Sequence, residues 1–149
     1  MNPITREILE RFDESDAYEY PSDFHSEELE QRAYKVAQLL QKSDLKLTFE
    51  GSVSIQDASF SVSILLHDFG EDTPLLRQIP EIRFSNFGYL ATIRFQNQLP
   101  EEVNDWIRTI LETNDFTYLP ETDLDFPYDG TMKDKSIYSS WWHRYFDWI

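Results

Sequence analysis

The chain has no cysteine among its 149 residues. That excludes a disulfide scaffold, a thiolate nucleophile and every zinc site that needs sulfur. Glycine is nearly as scarce, at four. Neither G-x-G-x-x-G nor G-x-x-x-x-G-K occurs, so the loops whose backbone amides cradle phosphates are missing. No stretch approaches the ~20 apolar residues that a membrane span requires. The opening Met1-Asn2-Pro3-Ile4-Thr5-Arg6-Glu7 lacks the apolar run of a signal peptide, and the expected location is the cytoplasm.

Positive charge is the other shortage. Against 28 acidic side chains stand 13 basic ones, for a formal charge of −15. Such a surface repels nucleic-acid phosphates and anionic headgroups, which argues against direct nucleic-acid binding and against a membrane partner. Solubility and steering toward a basic surface both account for it. The acid is concentrated: residues 1–30 hold ten acidic and two basic side chains, a net of −8 out of −15.

What is present suffices for a folded core. Hydrophobic residues make up 40% of the chain and aromatics 15%, well above the regime of disordered chains. The length suits one domain, 1–149. Pro3 with Ile4, Ile8 and Phe12 predicts a helix over 3–12, followed by an exposed acidic loop through Pro21. Ser26 is placed to cap a second helix over 27–42, with Glu27, Glu28 and Glu30 in its first turn and Leu29, Ala33, Val36 and Leu40 on one face.

From Leu45 the period is two. Leu47, Phe49, Val53 and Ile55, then Phe60, Val62 and Ile64, alternate with Ser52, Ser54, Ser59, Ser61 and Ser63, which predicts a hairpin with one buried face and one wet face. A long loop over 67–80 precedes a second strand pair carrying Ile82, Phe84, Ala91 and Ile93. Val103, Trp106, Ile107, Ile110 and Leu111 mark a helix opened by Pro100. The segment 116–119 suits a short edge strand, and 120–135 reads as irregular and acidic. The last stretch, from Ile137, carries Trp141, Tyr145 and Trp148 on one stripe and Trp142, Phe146 and Ile149 on another. A helix so apolar is buried in its own domain, in a homodimer or in a partner. The fold class is α+β: a four-stranded antiparallel meander flanked by N-terminal and C-terminal helices.

No catalytic or cofactor motif emerges. His25, His67 and His143 are scattered outside any metal-ligand spacing. Asp123, Asp125 and Asp129 suggest a calcium loop, but counting from Asp123 puts Pro127 fifth, Tyr128 sixth and Asp134 twelfth, which breaks the EF-hand pattern. With 28 acids available, no carboxylate pair is singled out for acid–base work. The expectation is a binding protein with no metal or cofactor, not an enzyme. Two clusters mix acids with tyrosine: Asp13, Glu14, Asp16 and Glu19 with Tyr18 and Tyr20, and Glu121, Asp123, Asp125 and Asp129 with Tyr128. Acid steers and tyrosine anchors, and solvated loops with inward-turned rings fit the same residues.

The run Ile82-Arg83-Phe84-Ser85-Asn86-Phe87-Gly88-Tyr89-Leu90-Ala91-Thr92-Ile93, then Tyr128-Asp129-Gly130 and Trp141-Trp142-His143-Arg144-Tyr145-Phe146-Asp147-Trp148, resembles small bacterial immunity proteins that neutralise polymorphic or contact-delivered toxins. The resemblance covers the C-terminal half. It implies a cytoplasmic protein that binds and blocks a cognate toxin domain, often a basic nuclease, and it transfers no binding residue. Two alternatives stay open: a small enzyme or ligand-binding domain with a pocket between sheet and C-terminal aromatic helix, and an acidic DNA mimic.

Overall fold

The computed structural model describes residues 1–18, 20–51, 62–72 and 77–146. Glu19, Val53, Ile55, Phe60, Trp148, Ile149 and the serines at 52, 54, 59 and 61 lie outside the described residues.

Helix α1 spans Pro3–Arg11; the Asn2 side chain accepts the Ile4 N–H at 2.8 Å, and Pro3 sits where a missing N–H costs nothing. Its buried edge is Thr5 and Leu9, with Ile8 and Phe12 half-buried beside them and Ile4 68% exposed. The predicted Ile4–Ile8–Phe12 stripe is thus rotated by one position. On so short a helix the neighbouring i, i+4 rows compete, and packing selects the row that carries Leu9. Helix α2 is Ser26–Gln41, and its N-cap is His25, with Ser26 already inside the helix. The expected apolar face is buried, joined by Ala37.

Four strands, β1 (Leu47–Glu50), β2 (Val62–Leu66), β5 (Glu81–Phe84) and β6 (Leu90–Arg94), pair antiparallel in that spatial order. The sheet has a fifth member: β7 (Thr117–Tyr118) pairs parallel to β6 at the edge. The cause is connectivity. The chain leaves β6 and returns through helix α3 (Glu101–Thr113), and a crossover of that kind delivers a parallel neighbour. The sheet is therefore mixed. The stretch 67–80, expected as plain loop, contains a two-stranded ribbon of β3 (Glu71–Asp72) and β4 (Arg77–Gln78). Likewise 120–135 holds a one-turn helix α4, Glu121–Leu124.

Two cores share this sheet. On one face Val62, Ile64, Leu66, Ile82, Phe84, Ala91 and Ile93, with Leu47 and Phe49 half-buried at the margin, pack under α2 and α3, as period two demands. The opposite face is not uniformly wet. Ser63 is buried, Thr92 is buried and donates to the Leu119 carbonyl at 2.7 Å, and Leu90 enters a second cluster. That cluster gathers Leu9, Phe87, Leu119, Leu124, Tyr128, Met132 and Tyr138 around α5 (Trp141–Phe146). Helix α5 is shorter than the apolar run, which begins in a 3-10 turn at Lys135–Ile137. Trp141, Tyr145 and Phe146 are buried within the chain itself. Among the described residues no helix is long and apolar enough to cross a membrane.

Candidate functional site

The loop after α1 and the segment around Tyr128, separate in sequence, meet at Arg144. The side chains of Arg144 and Asp13 are both fully buried, with Arg144 Nε donating to Asp13 Oδ1 at 2.9 Å. The other carboxylate oxygen, Asp13 Oδ2, accepts from the Tyr128 hydroxyl at 2.7 Å and from the Thr131 N–H at 2.8 Å. The rest of the guanidinium closes the loop after α1: it donates to the carbonyls of Glu14 (3.0 Å), Ala17 (2.8 Å) and Tyr18 (3.1 Å). The rings of Phe87, Tyr138 and Tyr145 lie 4.6, 5.1 and 5.5 Å from its central carbon. A buried charge is tolerated on such terms, paired, hydrogen-bonded and faced by aromatic rings.

Supporting contacts complete the knot. Tyr138 donates to the Tyr18 carbonyl, Tyr145 to the Leu9 carbonyl, and the Met132 N–H to the Tyr128 hydroxyl. Gly130 is required by proximity, because a Cβ there would stand 2.0 Å from Asp13 Oδ2 and 2.5 Å from the Tyr128 hydroxyl oxygen. Burial and the adjacent Asp13 carboxylate push the Tyr128 hydroxyl up to about 12; burial first, then Asp13, raises Tyr145 as well. Both phenols stay neutral donors at physiological pH.

The candidate residues therefore divide. Asp13 and Tyr128 are inside, and the expected exposed acidic loop is tethered at its backbone. Glu14 contributes its carbonyl to Arg144. Glu121 accepts from the Phe95 and Gln96 N–H groups at 3.1 and 3.4 Å, holding a turn in which Phe95 has φ 58°. Asp123 is half-buried and takes the Asn2 N–H at 3.3 Å. Asp129 is exposed yet engaged, with Arg6 at 3.1 Å and the Trp141 indole N–H at 3.2 Å; its contact with Arg6 lowers its pKa. Asp16, Tyr18, Tyr20 and Asp125 face solvent, Tyr18 at 53% and Tyr20 at 48% exposure. The sequence reading missed Arg144, although it is the only full cation in the aromatic run from Ile137 onward.

Among the described residues no group of three His, Asp or Glu is placed to hold a metal ion. At α5, Phe87 stands edge-on to Tyr145 at 5.2 Å and Tyr128 edge-on to Trp141 at 4.7 Å. No protein-family model matches this chain, and no curated protein or solved structure matches it either.

Proposed function

We propose that this protein works by binding another protein: it is an immunity protein that holds a cognate basic toxin domain through Asp16, Tyr18 and Tyr20. One observation carries the reading. Arg144 grips three carbonyls of the loop from inside, while Asp16, Tyr18 and Tyr20 stand outside on the same loop. A loop fixed in advance loses little conformational freedom on binding. Tyrosines on it supply contact area with few rotamers to freeze, and the −15 charge supplies steering toward a basic surface. Asp125 lies on the surface as a second steering charge.

The test is protection. The full chain is co-expressed with each toxic domain found encoded next to its gene, and growth is followed. Wild type restores growth; Tyr18→Ala with Tyr20→Ala abolishes protection, while thermal unfolding falls only by the loss of the Tyr20–Phe24 stack. Absence of protection by the wild-type chain overturns the reading. Inhibition of several unrelated DNA-binding enzymes, in place of one cognate toxin, replaces it with nucleic-acid mimicry.

A further inference from the structure

A small cleft opens between the lead into α2 and the turn joining β5 to β6. Asp23, Phe24, Leu29, Asn86, Gly88 and Tyr89 line it, and it encloses about 70 Å³. At roughly 10–15 Å³ per water on this measure, it has room for a few waters. That is the size of a side-chain tip, well short of the ~300 Å³ at which cofactor sites begin.

Its walls carry the aromatic rings of Phe24 and Tyr89, the imidazole of His25 and one exposed carboxylate, from Asp23. The backbone that forms the far wall is committed to its shape. Gly88 and Tyr89 both lie in the left-handed region, at φ 58° and 53°, and a Cβ at position 88 would meet the Phe12 ring at 2.6 Å. A tyrosine held in that conformation costs strain that the surroundings must hold in place. Tyr89 also already accepts an arginine: the Arg32 guanidinium lies 4.3 Å from its ring centroid, paired with Glu28 at 2.7 Å. Burial, then Glu28, and more weakly Asp23, raise the Tyr89 pKa, with Arg32 acting in the opposite sense. Finally, the cleft adjoins the displayed loop, because Tyr20 stacks on Phe24 with centroids 5.5 Å apart and planes at 26°.

We propose that this cleft receives the guanidinium of an arginine on the basic partner, stacked against Phe24 and Tyr89 and paired with Asp23. The inference rests on the protein-binding reading above and names the side chain that reading would recognise. Arginine fits better than lysine: its planar, weakly hydrated head stacks on aromatic faces and forks onto a carboxylate, whereas a compact ammonium does neither as well. An anionic group is refused by Asp23, and an aliphatic one leaves that carboxylate facing apolar surface.

A titration of the isotopically labelled full chain tests this without the partner. N-acetyl-arginine amide is added at millimolar concentrations, the range expected for one small contact, and amide chemical shifts are followed by NMR. Saturable shifts at Asp23, Phe24, Gly88 and Tyr89 are expected. N-acetyl-citrulline amide, of the same shape without the charge, should leave them in place, and N-acetyl-lysine amide should bind more weakly. Asp23→Asn, a change at an exposed position, should weaken the arginine response roughly tenfold. No saturable response at these residues, an equal response to citrulline, or indifference to Asp23→Asn each overturns the proposal. Because no toxin is involved, the titration fails or succeeds independently of the protection experiment.

Discussion

The core beneath α2 and α3 and the core around α5 lie on opposite faces of the same sheet and are held by different physics. The first is mainly aliphatic: Leu29, Val36, Leu40, Ile64, Ile82 and Ile93 come from regular elements, with Phe84 and Phe116 packed among them and no buried charge in the cluster. Its stability is apolar area removed from water, which is non-directional and tolerant of exchange between residues of similar volume. The second is aromatic and polar, centred on an ion pair between residues 131 apart in sequence. A network of that kind is worth little unless every member is satisfied, and it then prescribes one geometry. One core supports the chain, and the other shapes a surface loop.

The largest effect expected from this difference is at Arg144. Arg144→Met keeps much of the volume but leaves the Asp13 carboxylate buried without its cation and takes a donor from the carbonyls of Glu14, Ala17 and Tyr18, of which Glu14 keeps the Ala17 N–H and Tyr18 the Tyr138 hydroxyl. Removing one partner of a buried pair costs about 3–5 kcal/mol, measurable by denaturant unfolding. Adding Asp13→Ala to Arg144→Met should recover part of that loss, since the stranded charge goes with it. A double variant as unstable as the sum of the singles would show that the two side chains are not coupled. Hydrogen exchange should also rise across 14–18 in Arg144→Met before it rises in β5 and β6.

In the aliphatic core the corresponding change is Ile64→Ala, at a residue with 0% exposure. It removes methyl groups and leaves a cavity, at about 3 kcal/mol. Here the signature is different. The loss should be spread over the whole domain, with no selective opening of 14–18, and Ile64→Val should return most of it. Selective loosening of the loop in Ile64→Ala would erase the distinction between the two cores.

That same distinction governs what was legible in advance. The spacing of Leu29, Ala33, Val36 and Leu40, the alternation through Ile82, Phe84, Ala91 and Ile93, and the stripe of α3 are local periodicities, and each maps to a face of the aliphatic core. The antiparallel order of β1, β2, β5 and β6 follows the chain order of the alternating runs, with only β5 and β6 joined by a short turn. The parallel fifth strand is only two residues long, too short for any pattern to declare its partner. The knot was illegible for a deeper reason. Asp13 and Asp16 are both acids in one loop, and what buries the Asp13 side chain while Asp16 stays exposed is a guanidinium that arrives from position 144. Tyr128 and Tyr18 differ in the same way. Composition identifies acid and tyrosine together, and only the distant partner decides which of them faces outward.

A smaller effect is expected at Tyr128, where the knot loses hydrogen bonds and keeps its ion pair. Tyr128→Phe leaves Asp13 with Arg144 and the Thr131 N–H, so the cost is about 1–2 kcal/mol. Alkaline pH gives the sharper reading. The folded protein holds the Tyr128 proton up to about 12, against an ordinary value of 10.0. A raised pKa in the folded state means stability fully present below pH 10 and lost as pH rises from 10 toward 12. Tyr145, also raised, adds to the loss over the same range. Tyr128→Phe should therefore show a shallower decline above pH 10 than the wild type. Equal slopes in the two proteins would mean that this hydroxyl does not report on the knot.

The smallest effect distinguishes two carboxylates within the knot. Asp13→Asn and Asp129→Asn are the same chemical change, but Asp129 and its partner Arg6 have side chains 56% and 37% exposed, whereas Asp13 and Arg144 have 0% each. Water screens the outer pair, and exposed ion pairs contribute at most about 1 kcal/mol. The asparagine also keeps an oxygen for the Trp141 indole N–H, so Asp129→Asn should cost less than about 1 kcal/mol, and that cost should shrink as salt is added. The lowered pKa of Asp129 gives the sign in acid: its contribution is present above the ordinary carboxylate range and is lost as pH falls through the lowered value. Asp13→Asn replaces the buried anion under Arg144 with a neutral amide, so its cost should be several-fold larger and insensitive to salt. Equal, salt-dependent costs for the two substitutions would place Asp13 in contact with water and return it to the surface cluster with Asp16.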